Sequence, residues 1–298
     1  MVGRFASRMV PQRSDRARTT PPRRRRTDVV VVAVLIGSFA LGLSAYGIVN
    51  SRFDRIEKTV ASMRRIDAPM TAPRPFDESG PRNYAVFAVG SDGSLTGGLI
   101  VHLTAPRDEM AVIAVPADTP LGSKTLADVY DDGVAAASQG LEQLVGTQMD
   151  HQFELGLGQC ADVVTAVGGL TIGSDTMDAA RAKAYLDDAA TPAQRADRLA
   201  QLTVAAMSMF SMLKSLVDPT GFDKTVDALQ PCVSVDASLT SAEVRSMVSQ
   251  LRIRSDTIGS TVWPGVQPKS DRIKSDDIKT AFAADNFSSL PLDYLPGR

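Results

Sequence analysis

Two short apolar runs, Tyr84 to Val89 and Met110 to Val115, each end in a turn that presents an aspartate: Gly90-Ser91-Asp92 and Pro116-Ala117-Asp118. Apolar runs of this length read as strands buried on both faces, which commits this part of the chain to a sheet covered on either side. Carboxylates at the ends of adjacent buried strands are where α/β proteins place metal and phosphate chemistry. Neither turn carries the arginine or lysine that would hold a phosphate beside such a carboxylate.

Strand-like and helix-like stretches alternate around these runs. Leu99 to Leu103, Gln152 to Leu157, Leu170 to Ile172 and Ile258 to Trp263 read as further strands. Val134, Ala137, Leu141 and Leu144 mark a helix closed by Gly146, and Cys160 to Val167 marks another that ends at Gly168-Gly169. The clearest helix opens at Thr191-Pro192-Ala193-Gln194, a capping-box signature with proline at the first helical position. Leu199, Leu202, Ala206, Met209, Leu213 and Leu216 line its buried face until Asp218-Pro219 stops it. Thr240 and Glu243 open a last helix by the same capping logic. The pattern continues to about Val266, and the aperiodic tail from Phe287 is expected to be loosely ordered. This order predicts an α/β fold, a central mixed β-sheet with helices on both faces.

The amino-terminal region has a different character. Residues 1–28 carry nine arginines against Asp15 and Asp28, a net of +7 in a chain of net charge −2, so the remainder stands at −9. That balance argues against nucleic-acid binding by the folded part. Val29 to Val49 follow without a charge, 21 residues that can cross a hydrocarbon core of roughly 30 Å as one transmembrane helix. The run is too long for a cleaved signal peptide, and Asn50-Ser51-Arg52 offers no small-x-small cleavage site. Nine arginines before the span, against five basic residues between Arg52 and Arg65, place the amino terminus in the cytoplasm and the folded domain outside the cell membrane. Phe53, Ile56, Val60, Met63 and Ile66 suggest a short amphipathic stalk helix, and the four prolines from Ala68 to Pro81 a linker. The predicted layout is a basic tail 1–28, a transmembrane helix 29–49, a stalk and linker 50–82, an extracytoplasmic domain 83–286 and a tail 287–298.

Cys160 and Cys232 are the only cysteines. An even pair in an oxidising compartment is compatible with a disulfide worth roughly 4 kcal/mol in the chain-entropy model; two separately buried thiols fit the spacing nearly as well. With His102 and His151 the only histidines and no Cys-x-x-Cys, a histidine or cysteine metal site is not indicated. Arg195 and Arg198 lie three apart at the start of the 191–216 helix, where guanidinium groups, free backbone N–H groups and the dipole together attract anions. The competing reading pairs them with surface Asp187, Asp188 or Asp197. Met207, Met209 and Met212 fit either a lipid channel or ordinary helix core.

Taken together, these strings resemble the LytR-CpsA-Psr family of membrane-anchored envelope proteins, whose domain is also called the cell-envelope-related attenuator domain, from Asn83 to Val266. Asn83 to Asp92 resembles the family's opening strand and Gly-Ser-Asp turn. Leu99 to Leu103 and Ala114 to Thr119 resemble its second strand and its Ile-Pro-Arg-Asp-Thr turn. Gly140 to His151 with Phe153-Glu154-Leu155, and Asp162 to Ile172, resemble two central passages, of which the second ends its helix in Gly-Gly. The resemblance implies a sheet with helices on both faces around an apolar channel for a polyprenyl chain. It also implies a phosphotransferase that moves glycopolymer from a polyprenyl-pyrophosphate carrier onto peptidoglycan, with magnesium at the pyrophosphate.

On that comparison Asp92 and Asp118 are the candidate catalytic residues, Asp92 the candidate magnesium ligand, and Arg195 with Arg198 the candidate phosphate-binding pair. For Asp118 a turn-capping role stands beside the catalytic one. Ser94 and Ala117 occupy positions where the family has arginine, Leu95 to Gly98 shortens a loop that would carry another, and Asp187 replaces the arginine of an Ala-Tyr-Val-Arg string. Pyrophosphate chemistry needs that positive charge. The expectation is therefore a protein of envelope glycopolymer assembly that binds polyprenyl-(pyro)phosphate-linked substrate with weak or lost transferase activity. Its alternatives are an active magnesium-dependent transferase and a non-catalytic scaffold or partner of an active paralogue.

Overall fold

A computed structural model describes residues 46–66, 79–166, 168–211, 219–250, 253, 255–264 and 273–294. The basic tail 1–28 and the expected transmembrane run, up to residue 45, lie outside the described residues. Among the described residues no helix is long and apolar enough to cross a membrane.

The elements in chain order are α1 (Tyr46–Ser62), β1 (Arg64–Ile66), β2 (Arg82–Val89), β3 (Leu95–Leu103), β4 (Met110–Pro116), β5 (Pro120–Leu121), β6 (Lys124–Thr125), α2 (Leu126–Asp131), α3 (Val134–Val145) and β7 (His151–Gly156). There follow α4 (Leu157–Ala166), β8 (Leu170–Ile172), β9 (Asp175–Met177), α5 (Ala179–Asp187), α6 (Pro192–Ser211), α7 (Pro219–Cys232), β10 (Val233–Asp236), α8 (Ser241–Gln250), β11 (Ile258–Val262), α9 (Ser275–Ala284) and β12 (Asp293–Tyr294). Among the described residues the main sheet runs β1-β10-β7-β2-β3-β4-β11-β12. Strands β7, β2, β4 and β11 are co-directional, and β3 runs antiparallel between β2 and β4. The turns after β2 and β4 therefore open at the same end of the sheet.

Alternation along the strands sends side chains to both faces, and both faces are apolar. Val86, Leu99, Val101 and Val112 join a core with α1, α4, α6 and α7. Phe87, Ile100, Ile113 and Val115 join a second core with α2, α3 and α9. This double burial is why the central strands read as unbroken apolar runs. At the far end of the sheet, Arg82 donates to Asp150 at 2.9 Å with both side chains buried, and the Asn83 N–H donates to the same carboxylate at 2.7 Å.

Local signals in the sequence are visible in the caps. Gly146 ends α3 in the left-handed conformation at φ 76°. Thr240 and Glu243 exchange hydrogen bonds as a full capping box, 3.2 Å and 2.8 Å. Thr191 accepts from the Gln194 N–H at 3.1 Å, while the Gln194 side chain accepts from Ala190 rather than from the cap residue itself. The expected stop of α6 at Asp218 falls outside the described residues.

Three expectations need correction. The amphipathic segment after residue 50 is part of the folded body: Ile56, Val60 and Met63 are buried in the first core, and β1 pairs in parallel with β10. The domain thus includes residues upstream of Asn83, because an apolar stripe is stabilised more by packing on α7 and α8 than by standing alone. Leu170 to Ile172 does not enter the main sheet; it pairs with β9 in a separate hairpin, after Gly169 turns the chain at φ 117°. The tail from Phe287 is packed, not loose: Phe287, Leu290 and Leu292 are buried and β12 pairs with β11.

Candidate functional site

The turn after β2 is built around its glycines. The Gly90 N–H donates to the Ser94 carbonyl at 2.8 Å, and Gly93 sits at φ 82°, a conformation costly for any side chain. A Cβ on Gly90 would meet the Asp92 carboxylate oxygen at 2.7 Å, so glycine there lets that carboxylate fold over the turn. Ser94 donates to the same oxygen from its hydroxyl at 2.7 Å and from its N–H at 3.0 Å. These hydrogen bonds, the hydroxyl first, hold the exposed Asp92 carboxyl below the usual carboxylate range.

Asp92 borders a cavity of about 450 Å³ between this turn and helices α4, α5 and α6. The inner wall is apolar and buried, formed by residues such as Val164, Leu170, Leu199, Leu202 and Ala206. The outer rim is polar and exposed, with Ser91, Asp92, Lys183 and Asp187, and the half-buried Arg195. An apolar interior with charge only at its mouth suits a molecule with a hydrocarbon body and an anionic head.

The predicted residues separate at this cavity. Arg195 lines it, and its guanidinium makes no hydrogen bond or ion pair with any described residue. Arg198 is not part of the lining; it donates to the Tyr185 carbonyl at 2.6 Å and lies 4.8 Å from the centre of the Tyr185 ring. Neither arginine pairs with Asp187, Asp188 or Asp197; Arg198 instead holds α5 against α6. Asp118 is exposed in the turn after β4 and is not in the lining, and its carboxylate accepts no hydrogen bond from a described residue. That turn is closed by the backbone, the Thr119 N–H donating to the Pro116 carbonyl at 3.0 Å. Ala117 packs against the core of the opposite face.

Cys160 and Cys232 form a disulfide with an S–S distance of 2.02 Å, tying α4 to the end of α7; Cys160 is also part of the cavity wall. Met207 is buried in the first core and is not in the cavity lining; Met212 lies outside the described residues. Lys183 was not among the sequence candidates. It stands four residues before Asp187 on α5 and forms an ion pair with it, so the helical spacing was the available signal.

For magnesium, the described residues contain no group of three or more His, Cys, Asp or Glu that could cage an ion. Magnesium usually takes one or two carboxylates and shares the oxygens of a bound phosphate. Asp92, exposed at the mouth, fits that role, and no preformed site is needed for it.

No family model matches the sequence, and no curated protein matches it. Solved structures do match. The LytR-Csp2A-Psr enzyme from Actinomyces oris is 14% identical at a TM-score of 0.57, over 76% of this chain and 97% of that one. TagT bound to LIIa-WTA is 15% identical at 0.56, over 74% and 96%. TagV from B. subtilis is 15% identical at 0.55, over 70% and 97%. The chain is an α/β domain with the fold of these LytR-CpsA-Psr structures, and its cavity has an apolar interior and a polar mouth.

Proposed function

We propose that this is a membrane-anchored protein of envelope glycopolymer assembly that binds polyprenyl-(pyro)phosphate-linked substrate and has weak or lost phosphotransferase activity. The observation that carries the reading is the cavity, with a buried apolar interior and Asp92 at its mouth, while Ser94 and Asp187 stand where the family resemblance implies arginines. Phosphoryl transfer depends on positive charge around the phosphates, and removing one such donor typically costs about 10²–10³ in rate. Lys183 is engaged by Asp187, which leaves Arg195 to meet an anion. The likeness to TagT bound to LIIa-WTA supports a glycopolymer or lipid-linked ligand, and peptidoglycan is the acceptor that the family resemblance implies. The uncharged run Val29 to Val49 supports the membrane anchor, with the domain outside the cell.

When bound, magnesium would neutralise phosphate charge at Asp92. Arg195 would orient the phosphate, and the apolar wall would hold the chain and exclude water. The full chain incubated with a polyprenyl-pyrophosphate glycan and magnesium is expected to bind it without turnover. Robust magnesium-dependent cleavage that disappears in Asp92→Ala would overturn the loss of activity and establish the competent-transferase reading instead.

A further inference from the structure

Residues 170–189, which hold β8, β9 and α5, supply one wall of the cavity through Leu170, Ala179, Ala182, Lys183, Leu186 and Asp187. The bonding of this stretch sets it apart from the body it rests on. Strand β8 pairs only with β9, and among the described residues no backbone-to-backbone hydrogen bond leaves the stretch. Its side chains also bond mostly inward. Arg181 reaches Asp175 at 2.6 Å and the Thr176 carbonyl at 3.2 Å, Thr171 and Thr176 share a hydrogen bond of 3.1 Å, Asp178 accepts from the Arg181 N–H at 2.8 Å, and Lys183 pairs with Asp187. Apolar burial within it is confined to Leu170, Met177, Ala182, Leu186 and Ala189. A segment with its own hydrogen bonds and few buried apolar groups is the kind that opens locally as one unit.

Among the described residues, only Tyr185 makes side-chain-mediated hydrogen bonds from this stretch to the rest of the molecule. Its carbonyl accepts from Arg198 at 2.6 Å, its ring lies 4.8 Å from the same guanidinium, and its hydroxyl donates to Gln201 at 2.6 Å. Gln201 is itself oriented by donating to Asp197 at 3.0 Å. The post that bears this clasp is fixed, since Leu199, Ala200, Ala205 and Ala206 of α6 are buried in the first core. Tyr185 is not in the cavity lining, so its bonds set where the wall stands and not what the wall presents. At the other end the chain enters the stretch through Gly168 and Gly169, at φ 76° and 117°, a pair with the backbone freedom of a hinge.

We propose that residues 170–189 form a flap that swings as a body on Gly168-Gly169, and that Tyr185, clasped by Arg198 and Gln201, is the latch that holds it against α6. Releasing the latch widens the mouth and admits an apolar ligand. Tyr185 is a positioning residue, and the device rests on the apolar cavity alone, whatever head group the ligand carries.

Hydrogen exchange read by mass spectrometry on the full chain in nanodiscs tests the latch, and stopped-flow fluorescence with the apolar dye N-phenyl-1-naphthylamine tests entry. In the natural chain the amides of α5 and β9 are expected to exchange together, faster than those of β2 and β4. Tyr185→Leu and Arg198→Met should each raise exchange in α5 and β9 about tenfold and leave β2 and β4 unchanged. Tyr185→Phe, which keeps the ring and carbonyl contacts, should give a smaller rise. The dye's association rate should increase in the same order. A rise shared by β2 and β4 would make Tyr185 an ordinary stabilising residue, and unchanged exchange in α5 would show that nothing is latched; either result overturns the proposal. Dye that enters all variants at the natural rate, or finds no site, would overturn the gating role even where exchange in α5 rises.

Discussion

Ser94 shows how one side chain can reverse the use of a turn. An arginine here would extend beyond Asp92 toward a phosphate; serine turns back and donates to the carboxylate at 2.7 Å. Replacing it in Ser94→Ala removes that hydrogen bond and should move the Asp92 titration upward toward the ordinary carboxylate range, read by NMR. The sign follows from the depressed folded-state pKa. The stabilisation from this turn is present above the unfolded-state pKa and is lost as pH falls through the folded one; in Ser94→Ala that acid-side loss should shrink. A larger effect belongs to Asp150, buried with Arg82 at 2.9 Å. Asp150→Ala leaves a buried guanidinium without its carboxylate and should cost about 3–5 kcal/mol in denaturant unfolding.

At the scale of elements, the packed carboxy-terminal segment gives the sharpest prediction. Phe287 lies 4.6 Å from the His102 ring and 5.0 Å from the Phe282 ring, centre to centre, and is buried. Phe287→Ala should cost about 3–5 kcal/mol, whereas a loose tail would show no change. Reducing the Cys160–Cys232 bond, which closes a sequence separation of 72 residues, should cost about 4 kcal/mol of stability, measured by thermal melts with and without reductant. The elements legible in the sequence were those whose signal is local. Gly146 and the Thr240–Glu243 box mark helix ends by backbone chemistry, and doubly buried strands such as Met110 to Val115 announce themselves by composition alone. The tail was not legible, because Phe287, Leu290 and Leu292 follow neither a helical nor a strand period and their burial depends on elements distant in the chain, such as His102 of β3 against Phe287. The same holds for the segment after residue 50: its stripe was visible, its partner helices were not.

For the whole molecule, the fold brings together residues from the turn after β2 and from α4, α5 and α6 at one cavity, and that convergence was only half legible. Asp92 and Arg195 could be named from local patterns; for Lys183 the spacing to Asp187 marked only a helical ion pair, since its place at the rim depends on how α5 lies against the turn. Arg198 had the same sequence credentials as Arg195, yet the 2.6 Å hydrogen bond to Tyr185 gives it to the packing of α5 on α6. The central proposal is that this cavity binds a lipid-linked phosphate while its mouth lacks the positive charge for transfer. It is tested most directly by comparing magnesium-dependent cleavage of a polyprenyl-pyrophosphate substrate by the natural chain and by a double variant, Ser94→Arg with Asp187→Arg, which returns two guanidinium groups to the mouth. The account predicts background turnover for the natural chain and a gain of about 100-fold or more in the double variant; a natural chain that already cleaves at a rate the two arginines do not improve would contradict it.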